Sequence, residues 1–357
     1  MTANSASRAR LELGIFMPSN GGYSITTYNP HPDSWTYESN LRTAIAAEQA
    51  GFDFLFPVAR WKGFGGPSKF MGAGLETMTW AAGLLSRTSR IRVFSTVHVP
   101  MYHPAIVAKA GATLDQIGGG RWGVNLVSGW SAAEFNMLGV ELLPHEDRYA
   151  RTTDFIKCLK GFWSEPPGEF NFESQYYTIR GGYSCPQPAV MPPIANAGNS
   201  DAGVDLAASA CDWAFTGPAT VSDAPATVER VRARAAAHLR DIRVMCTVMP
   251  VWADTAEEAQ AEVDKIIENV DREAAYNWAA DMIGIDKFGK AGPPYDKLAV
   301  GSGALYFVGT PEMIADQFSE LYAAGVDGLM LIFHDYEKDI DRFDQQIRPL
   351  LRARGLL

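Results

Sequence analysis

Short apolar runs alternate with longer amphipathic ones along most of this chain, and no other feature limits its fold as strongly. Leu11 to Pro18, Phe52 to Val58, Ile91 to Val99 and Arg121 to Val127 are brief and apolar, as strands buried on both faces are. Between them, Trp35 to Gly51, Leu75 to Ser89 and Pro104 to Ile117 carry apolar residues at helical spacing. Ser34 is placed to cap the first of these helices and Gly51 to end it. The third opens on proline and is followed by glycine. This alternation predicts parallel strands joined by crossover helices.

The rhythm continues. Helices are expected over His145 to Trp163, from Ala202, and over Val221 to His238, Thr255 to Asp271, Glu312 to Ala324 and Tyr336 to Arg354. Further strands begin at Ile194, Trp213, Arg243 and Gly328, making eight with the first four. Eight such units predict an α/β fold, a (β/α)8 TIM barrel, in one domain over residues 11–357 after a disordered tail at 1–10. An open doubly wound sheet is the alternative, but no Gly-x-Gly-x-x-Gly follows the first strand. Two stretches break the rhythm. Residues 164–193 hold an inserted hairpin, Phe170 to Ile179, and a proline cluster; residues 272–306 mix glycine, proline and aromatics, as a long lid-like insertion would.

Bulk properties narrow the partners. A formal charge of −10 over 357 residues disfavours nucleic acid and anionic membranes, both of which call for basic patches. Cys158, Cys185, Cys211 and Cys246 show no metal or redox spacing and read as thiols of a reducing compartment. The N-terminal residues lack the apolar centre of a secretory signal, and a cytoplasmic location is expected. HExxH, P-loop and Gly-x-Ser-x-Gly motifs are all missing, so neither a bound metal nor a hydrolase triad is expected.

Several residues could carry chemistry at the C-terminal ends of the strands, where barrels of this class place their sites. Asn125 interrupts an apolar strand, where a buried amide needs partners; it is either a ligand-facing group or a structural amide. Thr96 and His98 share one face of the neighbouring strand, and the imidazole could equally be a hydrogen-bonded core histidine. The Ala197–Gly203 loop, with Ser200, opens a helix as an anion site or an ordinary cap. Arg148 and Tyr149 start another helix and could hold a phosphate, or Arg148 could pair with Glu146 or Asp147 at the surface. Arg60 lies in a cationic glycine-rich loop and Glu134 just after the fourth strand; solvated surface charges are the alternative for both.

Taken together, Lys62–Gly66, Ala112–Asp115, Gly119–Trp130, Pro186–Pro188 and Ala197–Gly203 resemble the bacterial-luciferase-like flavin-dependent monooxygenases, over nearly the whole chain after the tail. Within that family the likeness runs first to the pyrimidine monooxygenases that open the uracil ring, then to the dimethylsulfone monooxygenases. The resemblance implies reduced FMN as cofactor, O2 as co-substrate and a separate NAD(P)H-dependent flavin reductase. It also implies a homo-oligomer, dimer or tetramer. Matched residue by residue, it puts Ala59, Arg60, Asn125, Glu134, Arg148, Tyr149 and Ser200 on FMN, and Thr96 and Asn125 on oxygen at the flavin N5 edge, as for a flavin N5-peroxide. His98 and His334 stand where the pyrimidine branch carries alanine and an acidic residue, and Val58 where it carries methionine; the two histidines are expected at substrate. The implied reaction is oxygen insertion into a small electron-poor substrate, an N-heterocycle or cyclic amide, with C–N cleavage. Alternatives are C–S cleavage of a sulfone or alkanesulfonate and, from another class, a deazaflavin-dependent dehydrogenase or non-catalytic flavin-binding barrel.

Overall fold

The computed structural model describes residues 9–164, 166–284 and 292–357. In chain order its strands are β1 (Glu12–Met17), β2 (Phe54–Pro57), β3 (Arg92–His98), β4 (Trp122–Val127), β5 (Phe170–Glu173), β6 (Thr178–Gly182), β7 (Ile194–Asn196), β8 (Trp213–Phe215), β9 (Arg243–Trp252), β10 (Leu305–Gly309) and β11 (Gly328–Leu331). Its helices are α1 (Tyr37–Gln49), α2 (Thr77–Leu85), α3 (Pro104–Gly118), α4 (Ala132–Leu138), α5 (His145–Phe162), α6 (Asp201–Ala210), α7 (Ala224–Ala237), α8 (Ala256–Glu268), α9 (Arg272–Ile283), α10 (Tyr295–Ala299), α11 (Pro311–Ala323), α12 (Tyr336–Gln346) and α13 (Arg348–Ala353).

Strands β1, β2, β3, β4, β7, β8, β9 and β11 pair in parallel around a closed ring, β11 returning to β1, so the chain is a (β/α)8 barrel. These are the eight strands that the apolar runs predict. The hairpin β5–β6 is antiparallel and stands outside the ring, also as expected.

Local expectations fail where a side chain outcompetes the periodicity. Thr36, not Ser34, caps α1, accepting from the Ser39 N–H. Glu76 caps α2, its carboxylate accepting from the Met78 and Thr79 N–H groups, so that helix starts two residues later than its apolar run. The charged helix ends at Glu268 because Asp271 caps a new one, α9. The closing helix is two, α12 and α13, since Pro349 lacks an N–H and its ring clashes with the carbonyl a turn earlier. Strand β10, which begins at the end of the irregular stretch 272–306 and runs past it, pairs with the upper half of the long β9.

Aromatic rings fill the barrel interior. Phe16, Phe54, Phe56, Phe94 and Trp213 pack there, with Phe56 and Phe94 at 5.1 Å and Phe54 and Phe94 at 5.9 Å between centroids. Each fully buried phenylalanine contributes roughly 1.5–3 kcal/mol. The rings fit because small residues face them: a Cβ on Gly14 would lie 2.1 Å from the Phe54 ring, and one on Gly123 2.6 Å from that of Phe94. The register sets Phe94 beside Gly123 and, one pleat higher, Thr96 beside Asn125. Since side chains alternate, the face that packs Phe94 inward also turns Thr96 and Asn125 inward, at the C-terminal mouth.

At the opposite end of the strands, charges are paired. Glu12 accepts from both Arg92 and Arg243. Asp53 accepts from Arg10 and from the Leu13 N–H at 2.9 Å. Glu48 accepts from the N–H groups of Ser89, Arg90 and Ile91 at 2.9, 2.6 and 2.9 Å. Burial opposes the Glu48 charge, but these donors outweigh it and hold the carboxyl at about 2.

Candidate active site

The mouth is built by the loops that follow β2, β3 and β4. A cavity of about 240 Å³ opens there, lined by Ala59, Arg60, Gly74, Thr96 and His98 among others. Thr96 donates to the Pro57 carbonyl at 2.7 Å, and its hydroxyl oxygen accepts from the Asn125 side-chain N–H at 3.3 Å. Asn125 is 2% exposed, and its Oδ1 has no hydrogen-bond partner among the described residues. A buried amide satisfied on one side only leaves its acceptor for a ligand.

Arg60 and Glu134 are not solvated surface charges. Their side chains are 3% and 1% exposed and pair at 2.9 Å. Glu134 also accepts from the Trp61 and Lys62 N–H groups, so one carboxylate shapes the whole start of the loop after β2. The guanidinium lies over the rings of Phe64 and Trp130, 4.8 and 4.6 Å from their centroids. Its Nε and Nη1 are nevertheless buried without partners. Burial lowers the Arg60 pKa, and the charges of Glu134 and Asp281 raise it.

His98 shares this cavity. Burial, with the Arg60 cation nearby, pushes it down to about 3, so it is a neutral imidazole at physiological pH, with Nδ1 unpartnered. A proton relay near neutral pH therefore does not suit it; a hydrogen bond to a ligand does.

On the β4–β7 side, Ser200 caps α6, accepting from the Gly203 N–H at 3.2 Å, and its hydroxyl lies 3.4 Å from that of Tyr149. Gly198 and Gly203 meet backbone to backbone: a Cβ on either would come within 2.7 Å of the other's Cα. Arg148 donates to the Gly129 carbonyl and not to Glu146 or Asp147, the surface alternative, and its Nε is buried and open among the described residues. This helix start with its hydroxyls and an unsatisfied guanidinium nitrogen suits a phosphate.

His334 stands apart from the others. It stacks on Tyr28 at 5.1 Å and lines a small separate hollow with His31 and Tyr336. Burial lowers its pKa as well.

The late insertion packs on the mouth of its own chain. Asp271 accepts from the Ser68 N–H at 2.7 Å, and the Asn277 amide donates to the Phe64 carbonyl at 2.8 Å. A Cβ on Gly66 would meet the Asp271 carboxylate at 2.4 Å, so this approach requires glycine, as does the positive φ there.

Against this geometry the comparisons are specific. A family model described as luciferase-like monooxygenase matches residues 11–328. The chain belongs to the luciferase-like monooxygenases. It is 32% identical to the pyrimidine monooxygenase RutA of Bradyrhizobium sp. strain BTAi1, covering 97% of this chain and 98% of that one. It is 31% identical to the FMNH2-dependent dimethylsulfone monooxygenase of Pseudomonas fluorescens strain Pf0-1, covering 97% and 96%. Among solved structures, DmoA from Hyphomicrobium sulfonivorans superposes with a TM-score of 0.87 at 20% identity, over 97% of this chain and 89% of that one, which is a likeness of fold.

In this luciferase-like monooxygenase the structure also exposes residues that the sequence pattern passes over. Asn196, at the end of β7, donates to the Leu126 carbonyl at 2.7 Å and leaves a buried Oδ1 open, as Asn125 does. Its signal was an amide closing an apolar strand. Asn20, just past β1, has neither amide atom partnered among the described residues; in sequence it reads as the turn Asn20-Gly21-Gly22. Tyr23, half-buried, lies close enough to Arg60 to feel its charge, and desolvation of the phenol pushes it up to about 12.

Proposed function

We propose that this chain is the oxygenase of a two-component system, taking reduced FMN from a separate NAD(P)H-dependent flavin reductase and using O2 on a small electron-poor N-heterocycle or cyclic amide, with cleavage of a C–N bond. The observation that carries this reading is the Thr96–Asn125 pair at the mouth, with its one open, buried acceptor. The reductase, a cytoplasmic location and a homo-oligomeric state are parts of the same proposal.

The residues fit a flavin mononucleotide. Ser200, Tyr149 and Arg148 would hold the phosphate at the start of α6. Arg60, with Nε and Nη1 unpartnered and Glu134 to fix it, would hold the ring system together with Ala59. Reduced flavin would supply the electrons that activate O2. Thr96 and Asn125 would orient oxygen, His98 would offer a neutral hydrogen-bonding group to substrate, and the insertion anchored by Asp271 would keep water out. His334, in its separate hollow with His31 and Tyr336, is left out of this reading.

Stopped-flow mixing of protein loaded anaerobically with reduced FMN against oxygenated buffer, with uracil as probe, tests this. The reading expects protein-dependent reoxidation and oxygen in the product, with Asn125→Ala lowering coupled oxidation about 100-fold. Flavin reoxidation at its free rate would overturn it. C–S cleavage is the second reading, favoured by the dimethylsulfone relative; oxidation of dimethylsulfone but not of ring amides would select it.

A further inference from the structure

We propose that Asn20 recognises a cis-amide edge, an N–H beside a C=O on one ring, at the mouth of the barrel. This rests on the functional reading above and names the group that the site accepts.

Four buried asparagines make the case by contrast. Asn40 is fully satisfied: its amide N–H groups donate to the Ser34 and Thr36 carbonyls, both at 2.9 Å, and its oxygen accepts from the Trp80 indole at 3.1 Å. Asn125 and Asn196 use their donors and leave their oxygens open. Asn20 is 2% exposed, and neither its Nδ2 nor its Oδ1 has a partner among the described residues. An unsatisfied buried amide costs roughly 1–3 kcal/mol, a cost that a ligand or an ordered water removes, and the place of Asn20 beside the cavity wall favours a ligand.

The position supports a ligand. Ser19, its neighbour, accepts at its carbonyl from the Leu75 N–H at 3.1 Å, which ties this turn to the cavity wall. Gly74 lines the cavity, and a Cβ there would sit 3.5 Å from the Asn20 Cβ and 3.6 Å from the Arg60 carbonyl. The chain thus keeps Asn20 beside the Arg60 loop with no side chain between them.

The chemistry narrows the class. An asparagine side chain offers a donor and an acceptor in one plane, and the neutral ring group that matches both at once is another cis amide. A sulfone carries acceptors only; it could satisfy Nδ2 and would leave Oδ1 unpaired. Two rings at such a site carry the edge: a lactam or imide substrate, and the pyrimidine ring of the flavin itself.

The test uses Asn20→Leu, which keeps the size and removes both polar atoms. Thermal melting of the flavin-free protein should show a Tm equal to or above the parent's, because no native hydrogen bond is lost. FMN affinity is read by fluorescence quenching. Uracil and dimethylsulfone affinities are read by calorimetry on the FMN-loaded and flavin-free protein. Uracil binding weakened at least about tenfold, with FMN and dimethylsulfone unchanged, places the amide edge on substrate. FMN binding weakened by as much places it on the flavin ring. A parent that binds no ring amide while FMN binding is untouched by Asn20→Leu overturns the proposal. So does a variant in which both affinities stay at the parent value, and a Tm several degrees lower would then identify a structural amide. If the parent binds no FMN, the functional reading fails on its own, and uracil titration of the flavin-free chain still decides Asn20.

Discussion

The carboxylates at the N-terminal end of this barrel and the amides at its C-terminal mouth are set in different ways. At the N-terminal end, Glu12 serves two arginines, Asp53 an arginine and a backbone N–H, and Glu48 three successive backbone donors. At the C-terminal end, among the described residues, Arg60 keeps Nε and Nη1 unpaired, Asn125 and Asn196 one oxygen each, His98 a ring nitrogen and Asn20 its whole amide. The same desolvation physics acts at both ends. Where donors and acceptors match, the structure gains stability; where several are left open together around one cavity, as at this mouth, they mark a candidate binding site.

Charge removal at each end sharpens the contrast. Glu134→Gln leaves Arg60 buried beside a neutral partner and should destabilise the protein by about 3 kcal/mol in chemical denaturation. Glu12→Ala should lose only about 1 kcal/mol, because Arg92 and Arg243 are 30% and 35% exposed and can turn to water. It should leave FMN binding unchanged. Equal losses from the two variants would break the distinction drawn between the ends.

The smallest effect is at Glu48. Its carboxyl is held at about 2 in the folded chain, below the ordinary 4.5. A depressed carboxylate contributes stability that is present above the unfolded value and is lost as pH falls through the folded one. Glu48→Gln should therefore lower Tm by about 1–2 °C at pH 7 and flatten the Tm-versus-pH curve between 4.5 and 2. A parallel curve for parent and variant would show that the backbone donors at Ser89 to Ile91 do not hold the charge.

The eight barrel strands were legible because burial on both faces forces short, continuous apolar runs, a local property of the chain. The glycine-rich turns, the proline-led helix and the hairpin were legible for similarly local reasons. Asn125 and Thr96 stood out as polar residues in apolar strands, and Ser200 as a helix start. Strand β10 was not legible: it borrows its partner from the far half of β9, and nothing in Leu305–Gly309 alone announces that pairing. Nor could Arg60 and Glu134 be separated from surface charges, since their burial is made by Phe64 and Trp130 folding over them from two different loops.

By itself, then, the sequence determined the architecture and the residue types available at the mouth, because periodicity and turn chemistry are written in neighbouring residues. Tertiary structure decided the register that puts Thr96 against Asn125, the separation of His334 from His98, and which buried amides are satisfied. Hydrogen-bond satisfaction depends on partners brought from distant parts of the chain. Asn40 and Asn20 are the same residue type, and only the folded chain makes one of them a strut and the other a candidate contact for a ligand.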